Sequence, residues 1–335
     1  MKETPLYPLK FEPIYQYRLW GGRRLANLLS TLLPGEDPVG EAWLLSDRDD
    51  HPSRVADGPL KGNTLGELLA QSPQQLMGKL SGAFRRFPLL LKFLDVRTRL
   101  SVQVHPSDAH EKLIPASDTG KTEAWVVLEV GPGARVFAGL KTAAAADTLR
   151  QAITNGTVAD QLASFVPKPR DAVFIGAGAI HSLSDAVVFE VQQNSDVTFR
   201  LYDWDQLDPR TGRPRSLQVD QAMACIDFAQ GAIGPITPLV KQTQPLRETL
   251  VQGSEFGMTR ISGRRSFKVG AARLPRVLVC LAGDGFLEHA GADYPIRKGD
   301  ALLLPAVVGE LSCRPHGLIN VLEISLPEAP EAACS

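Results

Sequence analysis

RDAVFIGAGAIH, residues 170–181, returns in altered form as GDALLLPAVVGE, residues 299–310. Asp171 falls in step with Asp300, Ala172 with Ala301 and Ala177 with Ala306, and the residues between are apolar in both copies. Upstream, VVLEVGPG (126–133) matches LVCLAGDG (278–285) in its glycines and apolar positions. A short apolar run after a turn, used twice at matching separations, reads as one β-architecture repeated. In this register Glu123 falls opposite Pro275 and His181 opposite Glu310, and nothing like the earlier QVH precedes the second copy. Metal chemistry in the first copy is therefore not expected in the second.

Working outward, the strand-like runs form two blocks, at about 85–205 and 245–330. They include FPLLLKFLD, EAWVVLEVGPG, AVVFEVQQNSD, RVLVCLAGDG and LINVLEI. Many short strands with tight Gly, Pro and Asp turns predict a mainly β chain of sandwiches or barrels with helical additions. Helices are expected at Thr64 to Met77, where Thr64 and Glu67 make a capping box, at AAAADTLRQAITNG (143–156) and at VDQAMACIDFAQG (219–231). GPITPLVKQTQPLRE (234–248), with three prolines, reads as a linker. All four tryptophans fall in the first two-thirds of the chain, where the more elaborate core is expected.

The bulk numbers exclude several classes. With 335 residues, 44% apolar and 22% charged, the chain has ample length for packed cores. A net charge of −1 gives no basic excess for nucleic acid or anionic membrane. No apolar run reaches a membrane span, and MKETPLYPLKFEP has no apolar signal core, so a cytoplasmic location is expected. Cys225, Cys280, Cys313 and Cys334 lack CxxC spacing and read as reduced thiols.

The chemistry sits around SVQVHPSDAHEK (101–112). In a strand, alternate residues share a face, so Ser101, Gln103 and His105 oppose Val102 and Val104. Taken alone this is an ordinary strand with a wet outer face. Three features argue against that reading. Glu123 enters an apolar strand two residues after Lys121, and a buried carboxylate needs a partner. His181 follows two glycines that allow close backbone approach. Glu190 closes one apolar run, and Arg200 sits within another beyond the turn at Asn194, Ser195 and Asp196. Gln103, His105, Glu123 and His181 together make a plausible ligand set for zinc or another first-row divalent ion, with positions left for water or substrate.

LWGGRRL (19–25), GEAWLLSD (40–47), PLLLKFLD (88–95), LSVQVHPSD (100–108), GKTEAW (120–125), GAGAIHSL (176–183) and SDVTFRLYD (195–203) resemble, in family order, the type I phosphomannose isomerases of the cupin superfamily. The resemblance implies two cupin-type β-jelly-roll domains plus a small helical subdomain. Residues 1–235 would be a catalytic jelly roll with helical segments inserted at about 64–80, 107–120 and 143–165, and residues 236–335 a second, non-catalytic one. It implies one Zn2+ per chain on Gln103, His105, Glu123 and His181. Arg200, Glu190 and Lys121 would be catalytic, and Lys92 and Ser101 would bind the substrate and its phosphate. The implied reaction interconverts mannose 6-phosphate and fructose 6-phosphate through an enediol, with Glu190 or Lys121 as the base and Arg200 neutralising the enediolate.

The sequence departs from the family around the last ligand. Gly176-Ala177-Gly178 replaces Pro-Ala-Gly, Arg170-Asp171 replaces the Gly-Asp turn, and Ser182-Leu183 follows His181. Two other readings fit part of the pattern. An Fe(II) oxygenase would use a His/His/Glu set but has no need of Lys92, Lys121 and Arg200. A sugar-binding cupin without catalysis would not keep every ligand. His51, His110, His289 and His316 lack supporting partners and read as surface or structural residues. The expected partner is a small sugar phosphate, with no nucleic acid or membrane, for a monomer or homodimer.

Overall fold

In the computed structural model, which describes residues 4–116, 118–142 and 146–327, the two repeated stretches make the same turn. Asp171 Oδ2 accepts the backbone N–H of Lys168 at 2.8 Å, and Asp300 Oδ2 that of Arg297 at 3.0 Å. The residue before each aspartate is left-handed, Arg170 at φ 80° and Gly299 at φ 90°. Glycine takes that conformation freely, whereas arginine carries strain there. Strands Ala172–Ile175 and Ala301–Leu304 follow the two turns.

The hydrogen-bond register corrects the alignment by one residue. Glu123 pairs with Ile175, and the equivalent Leu304 pairs with Arg276. Arg276, not Pro275, therefore occupies the Glu123 position of the second copy. A one-residue slip would have turned every side chain to the other face, so the ladder decides the matter. The second copy also keeps one acid: Glu190 pairs with Trp125, and Glu323 with the equivalent Leu278.

The described residues form three sheets. A nine-stranded sheet carries, in order, Phe199–Tyr202, Val102–Val104, His181–Gln193, Leu89–Arg99, Ile14–Gly22 and Val39–Leu45; the long strand Glu123–Leu140 pairs with His181–Gln193 and with two short strands off this path. A seven-stranded sheet and a four-stranded sheet are built mostly from residues after 238, with Leu9–Lys10 from the start of the chain added at one edge of the larger.

Alternation explains the layers. In Leu89–Arg99, the odd residues Leu89, Leu91 and Phe93 join a core with Val277, Leu303 and Ile324 of the seven-stranded sheet. The even residues Leu94 and Val96 turn inward against Trp20 and Trp125. Phe93 and Phe189 meet edge to face at 5.8 Å within the first core. Further along, Leu278 and Cys280 pack with Leu287 and Cys313 between the seven- and four-stranded sheets.

Helices form at the three patterned stretches with shorter bounds, but not in the described part of 107–120. Thr64 caps Leu65–Gln71 through the full capping box, and Pro73 starts a separate helix, Pro73–Met77. The second helix is Ala146–Thr154, followed by Gly156 at φ 70°; residues 143–145 lie outside the described residues. The third stops at Cys225, because Asp227 N–H turns away to donate to Gly178 O at 3.0 Å. The described part of 107–120 contains only one 3-10 turn, Asp108–His110. The presumed linker is partly sheet: Leu239–Lys241 is an edge strand and Ile236 N–H donates to Ala172 O at 2.7 Å. Cys225, Cys280 and Cys313 are buried free thiols, and Cys334 lies outside the described residues. Among the described residues, no helix is long and apolar enough to cross a membrane.

Candidate metal centre and reaction cavity

Strand register gathers the site. Gln103 pairs with His181 on one side and with Arg200 on the other, so three strands set these residues in one row. Loop contacts add the rest. Gly178 N–H donates to His105 O at 2.8 Å, and Lys121 N–H to Pro106 O at 2.9 Å. Gly178 needs its φ of 85° for this, and a Cβ there would lie 3.1 Å from Asp227. Gly176 has no such constraint, so only one of the two glycines before His181 is required by the backbone.

Both imidazoles are oriented by carbonyls. His105 Nδ1 donates to Val197 O and His181 Nδ1 to Ala179 O, each at 2.9 Å. A carbonyl only accepts, so the proton sits on Nδ1 and each Nε2 keeps its lone pair. Each Nε2 lies 3.4 Å from a Glu123 oxygen. The three ligand atoms lie within 4.8 Å of one another. Among the described residues, neither Glu123 oxygen nor His105 Nε2 has a hydrogen-bond partner, although Lys121 Nζ stands 3.1 Å from Glu123 Oε2.

Protonation states agree with this arrangement. Burial and the charge of Lys121 push the His105 pKa down to about 3, and burial lowers His181 as well. Burial opposes the charge on Glu123, yet the charge of Lys121 holds its carboxyl well below the usual range. Two neutral imidazoles and a carboxylate, buried with orphaned lone pairs, are what a divalent cation requires and what is costly without one. Gln103 lies beside this group. Its Nε2 is 3.2 Å from His181 Nε2, and Ser101 Oγ donates to its Oε1 at 3.1 Å. A half-turn of the amide would offer the oxygen instead.

Gln103 and Lys121 also line a cavity of about 340 Å³, within the range of small-ligand sites. Its walls are strongly charged. Arg18 binds Glu41 through Nε and Nη2 at 2.8 and 3.1 Å, and Trp43 Nε1 donates to Glu41 at 2.6 Å. Burial opposes ionisation of Glu41, but Arg18, Lys92 and Trp43 bring its pKa to about 2. Lys92 Nζ lies 3.8, 3.6 and 3.5 Å from Glu41, Glu190 and Asp196. Burial disfavours its charge, yet those carboxylates more than offset this and its pKa rises. Glu190 takes a hydrogen bond from Trp125 Nε1 at 2.8 Å. Burial first, then the charge of Glu123, push its pKa up to about 7.

Arg200 differs from these cations. It lines the cavity, its Nε is buried, and its guanidinium has no hydrogen bond or ion pair among the described residues. Ser101 is buried and turned to Gln103 and does not line the cavity. Val102 and Val104 are fully buried, so both faces of the QVH strand are inside. His110 accepts from Ser107 and holds a 3-10 turn, and His51 packs against Trp43. Sequence reasoning missed Arg18, Glu41, Asp196 and Arg215, all of which line the cavity. Glu41 lay within a quoted stretch, GEAWLLSD, and a carboxylate in a run otherwise as apolar as this one was the available signal.

Comparison with known proteins agrees with the geometry. Residues 8–123 match the family model of the phosphomannose isomerase type I catalytic domain, a span that holds Gln103, His105 and Glu123 but not His181 or Arg200. The chain is 33% identical over 307 residues to the mannose-6-phosphate isomerase ManA of Bacillus subtilis, covering 90% of this chain and 94% of that protein. It is 34% identical over 306 residues to the mannose-6-phosphate isomerase of Streptococcus mutans, covering 90% and 93%. The crystal structure of the mannose 6-phosphate isomerase from Bacillus subtilis superposes with a TM-score of 0.87 at 30% identity, covering 95% of this chain and 99% of that one.

Proposed function

Because the chain belongs to the type I phosphomannose isomerases, we propose that it interconverts mannose 6-phosphate and fructose 6-phosphate in the cavity beside Glu123. The observation that carries this is the group of orphaned lone pairs on His105 and Glu123, reached through Gln103 and Lys121 from a cavity that also holds Glu190 and the unpaired Arg200. His105, Glu123, His181 and Gln103 are the proposed ligands, and zinc is the ion this donor set suits. Lewis-acid polarisation of the substrate carbonyl is the chemistry such an ion supplies when bound.

The chain's own groups do the rest. Glu190 takes the C2 proton of the open-chain aldose on Oε1, the oxygen that Trp125 leaves free, and returns it to C1. The hydroxyl proton of O2 ends on O1, so the isomerisation balances. A carboxyl with a pKa near 7 can hold and release a proton at neutral pH. Arg200 and Lys121 neutralise negative charge developing on the enediolate oxygens. Lys92 sits among three carboxylates, a setting that suits holding Glu190 and Glu41 in place. Ser101 orients Gln103. We further infer that residues 1–235 form the catalytic unit, that 236–335 form a second jelly roll without a metal, and that the enzyme works in the cytoplasm.

The test is a coupled assay with mannose 6-phosphate before chelation, after it, and after zinc is returned. Activity lost and regained in step with zinc supports the reading; full activity in rigorously metal-stripped protein ends it. An oxygenase reading has no comparable support, since the cavity's cations suit a phosphorylated substrate.

A further inference from the structure

The pairing of charges in the cavity is incomplete. Arg18 is neutralised by Glu41, Lys92 by the carboxylates around it, and Lys121 by Glu123. Asp208, the remaining acid of the lining, accepts from Tyr17 Oη at 2.8 Å and from Arg210 N–H at 2.8 Å. Arg200 has no hydrogen-bond or ion-pair partner for its side chain among the described residues. Arg215 also lines the cavity, near enough for its charge to act on Arg200; it reaches Asp203 through Nε and Nη2 and leaves Nη1 without a bond. Asp203 itself is buried outside the lining. Two guanidinium groups lining one cavity repel each other and favour anionic ligands there.

The backbone that presents Arg215 is built for placement. Trp204 and Asp205 are consecutive non-glycine residues at φ 58° and 55°. Their turn is pinned by Trp204 Nε1 on Leu100 O at 2.7 Å, Tyr202 Oη on Asp205 at 2.9 Å and Arg99 stacked on Trp204. A second crossing, Leu207 with Pro214, brings the chain back so that Arg215 meets Asp203. Strain of this kind persists only where its surroundings impose it.

We propose that Arg215, aimed by Asp203 as a positioning residue, binds the substrate's phosphate dianion. The assignment rests on the proposed isomerase reading and adds the residue that discriminates a sugar phosphate from the free sugar. Guanidinium forks suit phosphate oxygens, and Arg215 keeps one nitrogen free for that contact after binding Asp203.

Arg215→Gln in the zinc-loaded enzyme tests it, with inorganic phosphate as probe in calorimetry and as a competitive inhibitor. The phosphate Kd and Ki should each rise tenfold or more, and KM for mannose 6-phosphate should rise by more than kcat falls. Asp203→Asn should raise KM less, and Arg215→Lys should recover part of the affinity by restoring charge without the fork. If Arg215→Gln does not fold, Arg215→Lys decides: unchanged phosphate affinity and KM overturn the assignment. A wild-type protein that binds phosphate through Arg215 but does not isomerise mannose 6-phosphate would remove the isomerase reading and leave this site standing. An active enzyme whose KM and phosphate affinity ignore Arg215 would do the reverse.

Discussion

Trp125 Nε1 lies 2.8 Å from Glu190 Oε2, and Trp125 stands two residues beyond Glu123 on the same strand. The strand that carries the candidate metal carboxylate thus also holds the candidate base, from the same face. One side chain fixes the second carboxylate relative to the first.

Glu190→Gln should lower turnover by about 10²–10⁴-fold while bound zinc stays near one per chain. Parallel rate and metal measurements check this. Turnover within threefold of wild type would remove Glu190 as the base.

The same group sets a pH limit. A base must be ionised, so kcat falls as pH drops through its pKa. Burial and Glu123 bring that pKa to about 7. A cation bound to Glu123 replaces repulsion by attraction, so the acid limb of the zinc-loaded enzyme should lie below 7. Trp125→Phe removes a donor to the charged form and should move the limb to higher pH. A pH–rate profile of both proteins reads the shift, and an unmoved limb would assign it to another group.

His105→Ala and His181→Ala should each lose bound metal and activity, and chelation should lower the wild-type Tm while leaving that of the variants unchanged. Binding to the folded state alone stabilises it. Metal analysis with a thermal scan of each protein is sufficient, and retained zinc in both variants would exclude the proposed ligand set.

Glu41 links stability to pH. Its folded pKa of about 2 lies below the ordinary 4.5, so its stabilisation is complete above about pH 4.5 and disappears as pH falls toward 2. The difference corresponds to something on the order of 3 kcal/mol at neutral pH. Glu41→Gln should remove most of it, leaving Arg18 and Lys92 under-neutralised. Urea unfolding at pH 7 and pH 3 measures the effect, and equal losses at both pH values would contradict the sign.

Gly178→Ala should cost about 1–3 kcal/mol, because alanine is strained at φ 85° and its Cβ would press on Asp227. The displaced loop carries the hydrogen bond to His105 O, so zinc affinity should fall as well. Unfolding and competitive zinc titration check both. Gly176→Ala serves as the contrast, since nothing lies closer than 3.8 Å to its added carbon.

Much of this molecule could be read from its order of residues. Alternating apolar runs fixed the strand content, the doubled Asp-Ala turn exposed the repeated architecture, and Thr64 with Glu67 marked a helix start that the capping box bears out. Gln103, His105, Glu123 and His181 stood out because polar groups in apolar strands need partners. Each of these signals is local, since residues two or three apart fix a face or a cap. What escaped was set by distant partners. Arg18 reads as an ordinary charged residue until Glu41 stands across the sheet, and Arg215 until a strained turn brings Asp203 beneath it. The one-residue register of the repeat likewise depended on hydrogen bonds between strands, which put Arg276 where the first copy has Glu123. The sequence determined which groups required compensation; only tertiary packing decided which charge compensates which, and so left Arg200 without a partner among the described residues, because Coulomb energies depend on distances that the folded chain establishes.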